Sequence, residues 1–189
     1  MADYSNLLKT RRSIRDFEDK HVPLDIISDM IRESCLAPSS GNLQPWRFII
    51  INNRALIKRL SDESKRNLVS YIGRNPDAPV RKYEDALRNK YFNVFYNAPC
   101  LIYILGLKEI GSAQIDCALA ASYFMFSAAA RGLGTCWVAL GQHVQDPGLV
   151  EEIGMSEDCK IVVPIIVGYP KNIPDVPERM EPQILKTVN

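Results

Sequence analysis

The segment that most limits how this chain can fold is residues 112–131, SAQIDCALAASYFMFSAAAR. Its alanine content favours a helix, and apolar side chains fall on almost every side of that helix. A helix that is apolar all round has to be covered on most sides. Gln114 and Asp116, with so much alanine, argue for a buried helix and against a membrane span. Tyr123, Phe124, Met125 and Phe126 can face both the chain's own core and a second copy; the same pattern fits the central helix of a monomer. Gly132 then stops the helix, as a glycine just past a helix end does.

Other segments supply the cover. Trp46 to Ile51 is β-branched and aromatic and predicts a strand. Cys100 to Leu107 reads as a buried strand, residues 135–140 as a short one and 161–167 as the last core strand. Tyr4 to Thr10 is a short helix. Pro23, at the first helical position, opens a second whose apolar face is Leu24, Ile27, Ile31 and Cys35, and Pro38 ends it. Residues 54–69 form a helix with Leu56, Ile57, Leu60 and Leu68 inward, followed by a loop over 72–79. Residues 81–90 predict a charged, exposed helix. Asp146 caps a small helix ending near Gly154. A dinucleotide fold is excluded, because Gly132-Leu133-Gly134 follows a helix and precedes a strand, the reverse of a glycine-rich phosphate turn.

At 189 residues, without repeats or a low-complexity linker, the chain reads as one domain, 1–189. Its last part, 169–189, is an extended tail: Pro170, Pro174, Pro177 and Pro182 punctuate it and it cannot build a core of its own. The formal net charge of +1 makes any basic site local and argues against a nucleic-acid binder. The N-terminus lacks a signal pattern, so the expected location is the cytoplasm, with no membrane contact. Five scattered cysteines without a CxxC pair read as reduced, buried thiols; no metal site or iron–sulfur cluster is expected. The two histidines, His21 and His143, fall in polar segments expected to be exposed. No acid–base dyad is evident, and no catalytic side chain is assigned.

Two short stretches carry the chemistry. Arg11, Arg12, Ser13 and Arg15 pack three guanidinium groups and a hydroxyl into five residues, a donor set suited to phosphate. The loop Pro38-Ser39-Ser40-Gly41-Asn42-Leu43-Gln44-Pro45-Trp46 offers groups that can grip the polar edge of a flat heterocycle. Taken singly, each arginine reads first as solvated surface charge, and Pro38 and Gly41 as ordinary turn residues.

Together with Gly132-Leu133-Gly134-Thr135-Cys136-Trp137 and Gly168-Tyr169-Pro170, these motifs resemble the FMN-dependent nitroreductase family, in order and across nearly the whole chain. The resemblance implies an α+β fold: a three-layer α/β/α sandwich with a mixed, mostly antiparallel central sheet flanked by helices, assembled as a homodimer. It implies FMN as cofactor and NADH or NADPH as electron donor, with the flavin at the subunit interface. Arg11, Arg12, Ser13 and Arg15 would line its phosphate, ribityl chain and pyrimidine edge. Pro38, Ser39, Ser40, Asn42 and Gln44 would reach it from the other subunit. Leu140 or Gly141 would present a backbone N–H to the flavin N5, and Arg179, or Lys171 in its place, would add a distal phosphate contact, with the tail wrapping the partner. The activity implied is transfer of a hydride from NAD(P)H through the flavin to a nitroaromatic, quinone or similar acceptor. A dehalogenase, a biosynthetic dehydrogenase or a non-catalytic FMN-binding protein of the same fold would share these residues.

Overall fold

The computed structural model describes residues 3–188. Helix α1 (Tyr4–Thr10) begins where the Asp3 carboxylate accepts the Ser5 N–H (3.1 Å). In α2 (Leu24–Ser34) Pro23 stands at the cap position, one residue before the helix rather than inside its first turn. The buried face of α2 is Ile27, Met30 and Ser34, while Leu24 is 58% exposed and Cys35 half-buried; the predicted stripe was rotated towards solvent. Strand β1 (Trp46–Ile51) has its predicted bounds.

Helix α3 (Arg54–Arg74) starts at Asn53, whose side chain accepts the Leu56 N–H (3.1 Å). It runs past the predicted end at 69 and through Gly73, stopping before Pro76. Ile72, 3% exposed, is the reason: burying it outweighs the ~1 kcal/mol that one helical glycine costs. The helix predicted over 81–90 is instead a 3-10 turn (Pro79–Tyr83) and a short α4 (Glu84–Arg88). The Lys65 ammonium, reaching from α3, donates to the carbonyls of Asn89 and Phe92 (2.7 Å each), fixing the chain just past the end of α4. Burial lowers its pKa.

Strand β2 (Cys100–Leu107), helix α5 (Ala113–Ala130) and strand β3 (Gly134–Trp137) follow. The third strand ends at Trp137 rather than at 140. Val138 N–H donates to the Pro164 carbonyl (2.9 Å), but Pro164 has no N–H to return, and the chain turns into a 3-10 segment (Ala139–Gln142). Helix α6 (Pro147–Glu152) is capped by Asp146, which accepts the Leu149 N–H (2.9 Å), and β4 (Cys159–Gly168) completes the sheet.

The strand order is β1-β2-β4-β3 and each pairing is antiparallel. The expected mixed character reduces, among the described residues, to one parallel bridge between Ser13 and Thr135. Side chains of β2 alternate between two cores. Leu101, Tyr103 and Leu105 pack with Ile57, Leu60, Leu68 and Phe95 on one face. Cys100, Ile102 and Ile104 pack with Ile27, Met30, Ala120 and Phe124 on the other. The result is the expected α+β sandwich, with α2 and α5 on one side of the sheet and α3 on the other. The alanines of α5 let it lie close: a Cβ on Gly106 would stand 3.1 Å from that of Ala113. Cys100, Cys117, Cys136 and Cys159 are buried and unpaired, and burial pushes the Cys100 thiol up to about 12. Among the described residues no helix is long and apolar enough to cross a membrane. Residues 171–188 are exposed and form no helix or strand.

An ion pair clips α2 to α5. Arg131 donates to Glu33 (Nη2 to Oε1, 2.6 Å), and the Ser127 hydroxyl donates to Glu33 Oε2 (2.6 Å). These bonds, Arg131 first, lower the Glu33 pKa from 4.5 to about 2. A carboxyl depressed in the folded state contributes stability above its unfolded pKa and loses it as pH falls through the folded one. Thermal melts of the wild type and Glu33→Gln should therefore differ at pH 6 and converge between pH 4.5 and 2.

Candidate functional site

Residues 11–17 lie along the outer edge of β3. Ile14 N–H donates to the Thr135 carbonyl (2.9 Å), and Ser13 bridges Thr135. Ile14, 3% exposed, packs over Gly134, where an added Cβ would come within 2.6 Å of Ile14 Cγ1. Phe17 pairs with Pro170, Glu18 N–H donates to the Tyr169 carbonyl (2.9 Å), and Lys171 N–H donates to the Asp16 carbonyl (3.0 Å). The apolar anchors thus set the strip, leaving Arg11, Arg12 and Ser13 half-buried and Arg15 exposed.

The electrostatics of this edge are one-sided. Burial, and after it the neighbouring charge of Arg12, lowers the pKa of Arg11; Arg179 of the tail acts in the same direction, so its charge lies near Arg11. Cys136, 2% exposed, has its thiol raised by burial against the opposing pull of Arg15, Ser13 and Arg11. These groups from the strip and the tail are therefore brought together. Among the described residues none of Arg11, Arg12, Arg15 or Arg179 pairs with a carboxylate. Like charges held together without a counter-ion repel, and an anion relieves them.

Two cavities flank the strip. One, of about 170 Å³, is lined by Arg11, Arg12, Ile14, Gly134, Thr135 and Ile173. The other, of about 220 Å³, is lined by Arg15, Tyr83, Tyr96, Cys136, Trp137 and Leu140. The Arg15 guanidinium lies 5.7 Å from the centre of the Tyr96 ring. Tyr96 and Asn97 adopt φ of 52° and 53°; the left-handed region costs a side-chain-bearing residue ~1–2 kcal/mol. Neither tyrosine stood out in the sequence, since an isolated tyrosine in a loop has no distinguishing pattern. A wider groove of about 650 Å³ between α3 and α4 contains none of the expected residues, and its Lys65 is committed to the two carbonyls.

Leu140 and Gly141 part company. Gly141 N–H already donates to the Val138 carbonyl (2.9 Å), its carbonyl accepts the Tyr103 hydroxyl (3.2 Å), and an added Cβ would lie 2.2 Å from Phe95 Cε1. Internal packing accounts for this glycine, and its N–H is not available to a ligand. Leu140, half-buried on the first turn of the 3-10 segment, lines the cavity, and its N–H has no partner among the described residues. His143, expected to be exposed, is half-buried, and desolvation lowers its pKa; neither it nor the exposed His21 lines these cavities.

The serine-rich loop lies elsewhere. Ser40–Asn42 forms a 3-10 turn in which Gly41 and Asn42 have φ of 55° and 56°, followed by Gln44 at 46°. Pro38, Ser40, Asn42 and Gln44 are exposed, and Ser39 is half-buried with its hydroxyl accepting the Gln44 N–H (3.1 Å). Ser40 N–H donates to Asp116 in the first turn of α5 (3.1 Å), whereas Arg11 and Arg12 share their cavity with Ala129 near the other end. Thirteen residues of helix separate Asp116 from Ala129, roughly 20 Å at 1.5 Å per residue. The strands next to the two groups, β1 and β3, are opposite edges of the sheet. Within one chain, then, the loop and the arginines do not come together.

Between them α5 exposes Ile115, Leu119 and Tyr123, four residues apart and 67%, 38% and 43% exposed. This stripe continues into a cavity of about 580 Å³ lined by Tyr4, Leu36, Tyr123 and Phe126. A surface helix would ordinarily turn such a face inward.

A model of the nitroreductase family matches residues 8–169. A provisionally named NADH dehydrogenase/NAD(P)H nitroreductase of Archaeoglobus fulgidus is 26% identical over 93% of this chain and 90% of its own length. Iodotyrosine deiodinase 1 of Sus scrofa is 25% identical over 98% of this chain and 68% of its own. The crystal structure of a Bacteroides fragilis nitroreductase with bound FMN superposes with a TM-score of 0.82 at 20% identity, covering 100% of this chain and 99% of that one.

Proposed function

Because the chain belongs to the nitroreductase family, we propose that it is an FMN-dependent oxidoreductase that takes electrons from NADH or NADPH and passes them to a nitroaromatic, quinone or similar acceptor. The observation that carries this reading is the group of four arginines at the β3 edge that, among the described residues, have no carboxylate partner. That donor set fits a ribityl phosphate: Arg11, Arg12 and Arg179 supply forked donors, and Ser13 a hydroxyl.

When bound, FMN supplies the redox chemistry, alternately gaining and losing two electrons. The chain's own part is to bind, orient and exclude water. Arg15 lines the second cavity as a fixed cation and would offset the negative charge of a reduced flavin held there. Leu140 would offer its N–H, unpaired among the described residues, while Tyr83, Tyr96 and Trp137 form an aromatic wall suited to a flat acceptor.

The separation of loop and arginines supports a homodimer in which Pro38, Ser39, Ser40, Asn42 and Gln44 of one copy complete the site of the other. The exposed Ile115, Leu119 and Tyr123 stripe between them supports the same arrangement. Leu119→Arg is expected to shift the protein to monomer in sedimentation and to lower FMN retention at least tenfold. A monomer that still retains FMN as the wild type does would overturn the shared site.

The visible spectrum of the purified protein, followed by anaerobic titration with each nicotinamide and turnover with a quinone and a nitroarene, tests the activity. A colourless protein that takes up no FMN defeats it. FMN absorbance without nicotinamide oxidation selects a binding protein instead. Similarity to iodotyrosine deiodinase over 98% of the chain favours reductive dehalogenation as a second reading; iodide release from iodotyrosine by the chemically reduced protein would select it.

A further inference from the structure

Asp116 is 2% exposed on a helix whose buried neighbours Ala113, Cys117 and Ala120 are apolar. Its Oδ1 accepts the Ser40 N–H (3.1 Å) and its Oδ2 accepts the Ser112 hydroxyl (2.8 Å). Among the described residues it has no ion-pair partner; two neutral donors and the N-terminal end of α5 satisfy it. The other hydrogen bonds of residues 39–44 stay within the loop or its flanking strand: Asn42 N–H to the Ser39 carbonyl, Leu43 N–H to the Ser40 carbonyl, Gln44 N–H to the Ser39 hydroxyl, the Gln44 amide to Asn42, and Arg47 to the Gln44 carbonyl. Among the described residues, the Ser40–Asp116 bond is the one hydrogen bond from this loop to a distant part of the fold, spanning 76 positions. It holds a loop with three left-handed residues in four, a shape a free polar segment would not keep.

We propose that Asp116 is a positioning residue: it never touches the cofactor, and it presets the backbone of residues 39–44 so that Ser39, Ser40, Asn42 and Gln44 face an incoming flavin already in binding geometry. This rests on the reading that the loop contributes to an FMN site. Preorganisation of this kind lowers the ordering cost that binding would otherwise carry. The chemistry required is two hydrogen bonds, one of them accepted from the Ser40 N–H, and not charge. Asparagine can keep both, its Oδ1 taking the Ser40 N–H and its amide donating to the Ser112 oxygen. Alanine keeps neither.

The test compares wild type, Asp116→Asn and Asp116→Ala as full-length proteins by amide hydrogen exchange without FMN and by FMN titration. In Asp116→Ala the amides of residues 39–44 are expected to exchange at least tenfold faster, those of β2 and the rest of α5 to be unchanged, and the FMN dissociation constant to rise about tenfold. Asp116→Asn should stay within threefold of wild type in both. If the alanine variant does not fold, Asp116→Leu, which fills the space without accepting a hydrogen bond, takes its place with the same expectation. Loop amides as protected in Asp116→Ala as in wild type would overturn the proposal. So would a loosened loop with unchanged FMN affinity, or equal losses in the asparagine and alanine variants. Failure of the wild type to bind FMN would defeat the functional reading alone, because the exchange comparison reports on the tether without any cofactor.

Discussion

Arg11→Ala is expected to raise the FMN dissociation constant about thirtyfold while leaving the apoprotein's melting temperature unchanged or slightly higher. A charge-assisted hydrogen bond is worth ~1.5–3 kcal/mol, a factor of about 10 to 150 in affinity. Arg11 is half-buried beside Arg12 and near Arg179, so its positive charge is a liability to the empty fold, and removing it relieves both desolvation and repulsion. Opposite signs on binding and stability distinguish a ligand-holding arginine from a structural one. Fluorescence titration of FMN and a thermal melt of the same apoprotein measure both; equal losses would assign Arg11 a structural role. The effect should shrink at high salt, where the phosphate attraction is screened.

Gly141→Ala should do the reverse, lowering stability by about 3 kcal/mol or more without touching a cofactor contact. The added methyl would stand 2.2 and 2.6 Å from Phe95 Cε1 and Cζ. Phe95 is fully buried, edge-on to Tyr103 with ring centres 6.3 Å apart, and Tyr103 is itself bonded to the Gly141 carbonyl. Overpacking a well-packed core typically costs ~1–3 kcal/mol and occasionally more. A chemical denaturation curve with an unchanged midpoint would return Gly141 to the flavin-facing role its neighbourhood suggested.

That reassignment shows where reading along the chain was sufficient and where it was not. Strands at Trp46–Ile51 and Cys100–Leu107 were legible to the residue, because β-branched runs bounded by turn residues have few alternatives. The end of α3 was not, because Ile72 is held by tertiary burial beyond an unfavourable Gly73. The end of β3 depended on Pro164 in another strand. Gly141 looked like room for a ligand and is room for Phe95, a residue 46 positions away. Asp116 appeared only as a polar interruption in an apolar helix. A carboxylate on the buried face of such a helix was the available signal, but its partner Ser40 could not be named without the fold.

The amino-acid sequence alone determined the family, the three layers and the residue types suited to a phosphorylated flavin. Local propensity, apolar periodicity and short motifs are properties of neighbours in the chain, and they survive without coordinates. Only the tertiary structure decided which of those residues can act together. It gathered Arg11, Arg12, Ser13, Arg15 and Arg179 beside β3, and it left the Pro38–Gln44 loop at the other end of α5. The physical reason is the feature that constrained the fold from the start. Helix α5 runs between the two groups, and the residues it places beside the loop and beside the arginines, Asp116 and Ala129, lie roughly 20 Å apart along its axis.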